Sequence, residues 1–231
     1  MSDPNPIIQN DDLKNTLSKL SSIIGLLILS GLLSVLSPRF LTNSNLFNVL
    51  RQTSLNAIMA VGMTFVILTG GIDLSVGSIL AFSSAVAANV AHNGVSAAVA
   101  ILVGLVIGTV LGLVNGLIIT QGNIPPFIAT LAMMTMARGA TLVYSNGQPI
   151  TGLGDGFYSI GNGYIGQIPL PVAITIIVLL LGYYILTQTR TGRYIYAVGS
   201  NENAAKLTGV NTKIVKTLVY AISGFTAALS G

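Results

Sequence analysis

The sequence contains no cysteine, a single histidine and few charged residues among its 231 positions. Without cysteine, disulfide bridges and thiolate metal sites are excluded, and His92 alone cannot build a metal site. Charged residues make up 7% of the chain, whereas a soluble domain carries roughly a quarter. A surface with so few charges cannot face water all round, and the solvent that tolerates it is a lipid bilayer. We expect His92 to be an ordinary helix-end residue.

The groups that enzymes use for catalysis are also scarce. With six acidic residues and one histidine, the chain offers no Ser/His/Asp set and no paired carboxylates, so no catalytic residue is predicted. No lysine follows a glycine, which excludes the phosphate-binding loop G-x-x-x-x-G-K-[ST] and therefore ATP hydrolysis by this chain. Carboxylate pairs that could relay protons inside the membrane are missing. No basic-aromatic pattern indicates a nucleic-acid partner.

Long apolar stretches dominate what is present. Hydrophobic residues make up 52% of the chain, and the mean hydropathy is +0.81. The pattern predicts an all-α, polytopic membrane bundle with broken helices, preceded by a polar tail over 1–19. Six complete spans are predicted at 20–37, 52–69, 75–91, 96–120, 125–144 and 169–187. A loop is predicted over 145–167, a polar segment over 188–216, and the start of a seventh span from there to Gly231.

The distribution of basic residues predicts the orientation, because cytoplasmic loops carry an excess of Lys and Arg. With the N-terminus in the cytoplasm and six spans, seven of the ten basic residues fall inside: Lys14, Lys19, Arg190, Arg193, Lys206, Lys213 and Lys216. Arg39 and Arg51 fall outside. We therefore expect 145–167 on the outer side and 188–216 in the cytoplasm.

A stripe of glycines runs along the fourth predicted span, at Gly104, Gly108, Gly112 and Gly116. Residues four apart share one helix face, so the stripe permits another backbone to approach closely. The neighbour is either another helix of the same chain or a second subunit. Asn115, beside the stripe, suits a hydrogen bond between helices better than a contact with substrate.

A carboxylate interrupts the apolar sequence between the second and third spans, where Gly70 and Gly71 precede Asp73 and Ser75. An uncompensated Asp at the bilayer centre costs about 3 kcal/mol, so Asp73 must lie at an interface, in a water-filled cavity or at a helix N-terminus. Capping of the third span is one interpretation. A broken-helix site on the translocation path is another, and the two are compatible.

Arg138 is the only basic residue inside a predicted span. Its long side chain can reach the outer interface, which is the simplest interpretation. The alternative is that Arg138 lines the permeation path.

The predicted inner segment contains a short helix. Ser200 or Asn201 can cap a helix from Glu202 to Thr208, and Gly209 suits the left-handed conformation that ends it. A helix this short is unstable alone in water and needs something to pack against. Its small residues, Ala204 and Ala205, indicate a groove on a partner, and Arg190 and Arg193 would hold the segment near lipid phosphates or an acidic protein surface. A merely solvated basic loop is the alternative.

Several stretches together resemble a known family. They are 45–50 (NLFNVL), 56–64 (NAIMAVGMT), 71–78 (GIDLSVGS), 127–131 (FIATL) and 192–197 (GRYIYA), followed by the turn at 202–209. In this order they are similar to permease subunits of bacterial ABC importers for ribose and related monosaccharides, with the strongest likeness to the ribose-importing members. The resemblance covers residues 20–231.

The resemblance implies an inner-membrane pore made by two permease copies. It also implies a cytoplasmic ATP-binding subunit that uses ATP and Mg²⁺, and a periplasmic sugar-binding protein. The segment expected to dock on the ATPase contains Gly192, Arg193, Gly199, Glu202, Ala204, Ala205 and Gly209. Because the family has about ten spans, the pattern is expected to continue beyond Gly231. Two other classes stay open: a secondary transporter or channel that works without an ATPase, and a structural membrane anchor.

Overall fold

A computed structural model describes residue 21 and residues 23–231, so the predicted tail over 1–19 lies outside the described part. The chain divides into two compact units, residues 1–49 and 50–231. The first contains helix α1 (Ile23–Leu36) and the beginning of α2 (Asn43–Leu68). The second holds the remaining elements and all of the candidate site residues.

Eight helices and one hairpin follow α2. The helices are α3 (Val76–His92), α4 (Ala97–Gln121), α5 (Pro126–Tyr144), α6 (Asp155–Asn162), α7 (Leu170–Gln188), α8 (Arg190–Ser200), α9 (Glu202–Leu207) and α10 (Thr212–Ser230). Strands β1 (Tyr164–Ile165) and β2 (Ile168–Pro169) pair antiparallel between α6 and α7. Over residues 23–231 the architecture is all-α apart from this hairpin, as the sequence predicts.

The helices have the lengths and surfaces of membrane spans. Among the described residues, α4, α5 and α7 are long and apolar enough to cross a bilayer, while α1 and α3 are apolar but shorter. Only 17–22% of the residues in those three spans are buried within the chain. Large apolar side chains therefore remain exposed along them, such as Leu102 and Leu180, as expected where lipid is the solvent. The count of six spans stays a prediction.

Predicted and observed helix bounds agree where Gly or Pro ends a span. The bounds of α3, α4, α5 and α7 are confirmed to within a residue or two. The start of α2 at residue 52 was wrong, because the helix begins at Asn43, where the Thr42 hydroxyl accepts the Asn45 N–H at 3.4 Å. The amphipathic turns before Arg51 are helical without being continuously apolar.

Two segments contain more regular structure than the sequence predicts. The loop over 145–167 includes α6 and the first strand of the hairpin. The polar segment over 188–216 contains α8, which buries Ile195 and Val198 on one face, and the beginning of α10. Both corrections have one cause, which is that a short amphipathic helix among glycines and polar residues gives little apolar signal.

Two groups of contacts define two ends of the second unit, which we call the Arg51 end and the Asp73 end. At the Arg51 end, Arg51 donates to Asn162 and Tyr164, and His92 bonds to the Thr151 carbonyl. At the Asp73 end, the segment 69–75 contacts α8 at Gly199 and α10 at Tyr220 and Ser223. An apolar cluster fills this end, with Phe65, Val66, Ile119, Ala129, Ile195, Val198, Ala205, Val215, Val219 and Tyr220 at its centre.

Candidate functional site

The connection between α2 and α3, residues 69–75, is a segment that we call the junction, in which Thr69, Asp73 and Ser75 are buried. Gly70 has a φ of 75°, a left-handed conformation that side chains disfavour. Gly71 lies so close to Tyr220 that an added Cβ would come within 2.6 Å of the tyrosine hydroxyl oxygen. The two glycines therefore have separate roles, since one permits the reversal of the chain and the other permits close packing.

Asp73 is the buried polar centre of the junction, with 1% of its surface exposed. One carboxylate oxygen accepts hydrogen bonds from the Ser75 backbone N–H at 2.9 Å and the Ser75 hydroxyl at 2.6 Å. The other accepts from the Ser223 hydroxyl of α10 at 2.7 Å. Asp73 also lies just before α3, where the helix dipole favours negative charge. In the described part of the chain its partners are therefore hydroxyl and N–H donors.

Ser75 is the N-cap residue of α3, although its own side chain does not bond to the helix. Instead, its hydroxyl donates to Asp73 and accepts a bond from the side-chain amide of Asn115 at 2.8 Å. Asn115 is fully buried in α4, which agrees with the prediction of a bond between helices. Asp73 and Ser75 thus belong to one network that joins α3, α4 and α10, and their place on a translocation path stays a prediction.

The backbone of the junction is held as firmly as its side chains. The Ile72 carbonyl accepts a hydrogen bond from the Tyr220 hydroxyl of α10 at 3.2 Å. The Thr130 hydroxyl of α5 approaches the same oxygen at 3.5 Å. Since a buried, unpaired carbonyl is costly, these donors stabilise the break between α2 and α3.

Helix α8 packs against the rest of the chain through two glycines that the sequence singled out. An added Cβ at Gly192 would lie 2.6 Å from the Leu186 carbonyl carbon, at the sharp corner between α7 and α8. An added Cβ at Gly199 would overlap the Leu68 carbonyl oxygen, at the last residue of α2. Arg193, between them, is exposed.

Helix α9 confirms the predicted short helix. The Asn201 side chain accepts the Ala204 N–H at 3.0 Å, which selects Asn201 over Ser200 as the cap. Gly209 has a φ of 85°, as predicted for the residue that ends the helix. The interpretation of Ala205 as an exposed contact for a partner was wrong, because Ala205 is 4% exposed and packs in the chain's own core. Ala204 remains exposed.

Glu202 ties α9 to the beginning of α10. Its carboxylate accepts hydrogen bonds from Lys216 and, at 3.1 Å, from the Thr212 hydroxyl. Lys206, one turn along α9, lies 2.9 Å from the same group. The hydrogen bond from Lys216 lowers the pKa of Glu202 to about 2, although partial burial acts in the opposite direction. Glu202 is therefore ionised at neutral pH, and its carboxylate is paired with residues of the same chain.

The glycine stripe of α4 packs against other helices of the same chain. Gly108, Gly112 and Gly116 face α10, where added Cβ atoms would come within 2.6 Å of the Gly224 carbonyl oxygen, 3.0 Å of the Gly224 Cα and 2.7 Å of the Thr217 Cα, respectively. Gly104 faces α3, with the Ala87 Cβ 3.1 Å from the added atom. Within the described residues the stripe is thus filled by internal packing, the first of its two interpretations.

The predicted path residues do not converge on one cavity. Gly70, Gly71, Asp73 and Ser75 lie together in the junction, whereas Arg138 is exposed on α5. A cavity of about 320 Å³ opens near the Arg51 end and is lined by none of these residues. Its lining includes Ser83, Ser84, Phe157 and Tyr158.

Arg51 was counted only as an outer basic residue, yet it holds the Arg51 end together. Its guanidinium donates to the Asn162 side chain at 3.2 Å and to the Tyr164 hydroxyl at 3.0 Å. It also lies over the Tyr164 ring, 5.5 Å from the centroid. No local sequence signal links residues so far apart, so sequence reasoning missed this contact.

A protein-family comparison decides the class of this molecule. Residues 45–231 match a family described as branched-chain amino acid transport system / permease component. The chain belongs to this permease family. The matched range contains both the junction and the helix pair α8–α9. The buried polar break and the exposed apolar spans are therefore features of a multi-pass membrane permease.

Individual relatives of this permease carry names that refer to sugars. The ribose import permease protein of Escherichia coli is 50% identical over 222 residues, which cover 94% of this chain and 69% of the relative. That of Haemophilus influenzae is 48% identical over 214 residues, covering 91% and 66%. The galactofuranose transporter permease protein of Escherichia coli is 36% identical over 217 residues, covering 90% and 64%. The chain spans about two thirds of the length of these relatives, and no solved structure matches it.

Proposed function

We propose that the chain is the permease subunit of an ATP-driven importer of ribose or a closely related monosaccharide. The observation that carries the proposal is the identity of 48–50% with two ribose import permeases over at least 91% of this chain. The identity falls to 36% for the galactofuranose transporter permease, which favours ribose among the sugars. In this assignment the chain provides the membrane path and carries out no catalysis.

The proposed assembly contains three kinds of partner. A cytoplasmic ATP-binding subunit hydrolyses ATP with Mg²⁺, a periplasmic protein delivers the sugar, and a second permease copy completes the pore in the inner membrane. The N-terminus and the Asp73 end face the cytoplasm, as the bias of basic residues indicates. Because α10 fills the glycine stripe of α4, the second copy binds at another surface.

The helix pair α8–α9 supplies the proposed docking surface for the ATP-binding subunit. Leu207, the last residue of α9, is 90% exposed, and Ala204 is exposed beside it. Burial of this leucine in a pocket on the partner would remove its apolar side chain from water and so favour docking. Arg190 and Arg193 of α8 are exposed as well and suit lipid phosphates or an acidic partner surface.

Uptake of radiolabelled ribose by cells that lack their own ribose permease tests this function. The gene should be expressed at full length together with its ATP-binding and sugar-binding partners. We expect uptake that disappears when the ATP-binding subunit carries an inactivating substitution in its phosphate-binding lysine. Uptake that persists without ATP hydrolysis would instead identify a secondary transporter or channel. Galactofuranose, allose and fructose as competitors determine the sugar preference.

A further inference from the structure

We propose that the junction receives the movement of the helix pair α8–α9, with Gly199 and Asp73 as positioning residues. The proposal rests on the function proposed above, since it assumes an ATPase that moves this helix pair. It goes further by stating where the movement enters the spans.

The first route into the junction is a direct backbone contact. Gly199, at the end of α8, lies against the Leu68 carbonyl, and its added Cβ would be 3.6 Å from the Cα of Thr69. Leu68 ends α2, and Thr69 begins the junction. With no side chain between the two backbones, a displacement of α8 presses directly on the last turn of α2.

The second route passes through α10. Glu202 of α9 is bonded to Thr212 and Lys216 in the first turns of α10. About one turn beyond Lys216, Tyr220 bonds to the Ile72 carbonyl, and about two turns beyond it, Ser223 bonds to the Asp73 carboxylate. Because α10 is one continuous helix, a shift of α9 is passed from the first turns of α10 to Tyr220 and Ser223, and from them to the junction.

The two routes enter the junction at opposite ends, one at Thr69 and the other at Ile72 and Asp73. Gly70 permits the reversal of the chain and Gly71 permits close packing on Tyr220, whereas Asp73 and Ser75 connect the junction to α3, α4 and α10. A change in the relative positions of α8 and α10 therefore changes the strain across residues 69–75. The Asp73 carboxylate acts through Ser75 and Ser223, which makes it a positioning group.

A single thiol in the junction measures its movement, since the chain has no cysteine of its own. The Ile72 side chain is 47% exposed, so an Ile72→Cys thiol is open to a maleimide reagent. In the assembled full-length transporter we expect its labelling rate to change several-fold between the nucleotide-free and ATP-trapped states. Equal rates in the two states would overturn the proposal.

Two glycines allow a matched comparison in this Ile72→Cys background. Gly199→Ala puts a methyl group on the Leu68 carbonyl, whereas Gly139→Ala adds the same group to α5 with no heavy atom within 4 Å. We expect Gly199→Ala to retain the ATP-binding subunit and hydrolyse ATP, yet lose most of the labelling change and of the sugar imported per ATP. Gly139→Ala should preserve both. A Gly199→Ala protein that keeps the change, or that fails to bind the ATP-binding subunit, refutes the role assigned to Gly199.

A variant in the second route gives an independent test. Ser223→Ala removes one donor to Asp73 and leaves α8 and α9 untouched, so it should reduce the labelling change while assembly stays normal. Unchanged labelling would refute the route through α10. Ribose uptake by the unmodified protein separates this proposal from the proposed function. A nucleotide-dependent labelling change without ribose import would support the movement of the junction and contradict ribose as the substrate.

Discussion

Lys216 of α10 donates a hydrogen bond to the Glu202 carboxylate of α9, across fourteen residues that include the Gly209 turn. The contact fixes the short helix on the end of a long one. It also explains how six residues remain helical, since a helix of this length has little stability of its own. Glu202 thus anchors α9 to α10, while Ala204 and Leu207 of α9 remain exposed.

The titration of Glu202 should show this anchor directly. Its pKa of about 2 lies below the ordinary value of 4.5, so its contribution to stability is complete above pH 4.5 and is lost as the pH falls towards 2. Carbon-13 NMR of the side-chain carboxyl should give a midpoint near 2. Lys216→Met should move the midpoint towards 4.5 more than Lys206→Met does, because Lys216 has the larger effect. Equal midpoints in all three proteins would contradict the assignment.

Leu207 should be an anchor for the ATP-binding subunit. Leu207→Asp removes an exposed apolar side chain from α9, so the permease should reach normal membrane levels and retain little ATP-binding subunit on co-purification. Asn203→Asp adds the same charge on the same helix and serves as the control. Normal retention by Leu207→Asp would place the docking surface elsewhere.

Ala205→Trp would not test docking on the ATP-binding subunit, because Ala205 is buried and the substitution would disrupt the chain's own packing.

The contact between α4 and α10 should tolerate no side chain at the glycines. Gly112→Leu and Gly108→Leu place branched groups against the backbone of α10, and overpacking of this kind costs about 1–3 kcal/mol or more. Both variants should lower the melting temperature in detergent and the amount of protein in the membrane. Gly139→Leu, at a glycine with open space beside it, should change either value much less. Normal stability of the stripe variants would refute close packing there.

The orientation can be tested with single introduced cysteines, since residues 1–231 contain none. Gln148→Cys, near the Arg51 end, should react with a membrane-impermeant maleimide in intact spheroplasts. Asn203→Cys, at the Asp73 end, should react only after permeabilisation. Reporter fusions in 145–167 and 188–213 should agree with this result. Labelling of both sites from the same side would contradict the alternation of the six spans.

The sequence predicts the elements of this fold where local chemistry is decisive. The double glycine before Asp73 and the proline pairs before α5 and α7 locate helix ends, and Asn201 with Gly209 defines α9. Sequence reasoning fails where a residue's environment comes from a distant element. Ala205 is buried in a cluster with residues of α2, α4, α5, α8 and α10, and Arg51 bonds to residues more than a hundred positions away, with no local trace of these contacts.

In the candidate site, too, the local features could be predicted from the sequence and the contacts with distant helices could not. The junction was evident from Asp73 among glycines, because a carboxylate in an apolar stretch requires compensation. The identity of the compensating groups was not evident, since Ser75 is local whereas Ser223 lies in another helix. The contact of Gly199 with Leu68 likewise depends on the tertiary packing of two helix ends.

The distance along the chain between Asp73 and Ser223 has a consequence for biosynthesis. The two residues are 150 positions apart, so at about 5–20 residues per second the ribosome needs roughly 8–30 s to deliver the second after the first. Throughout that interval the carboxylate has Ser75 as a partner but lacks its donor from α10. The first spans are therefore synthesised before the Asp73 carboxylate has its full set of hydrogen-bond donors.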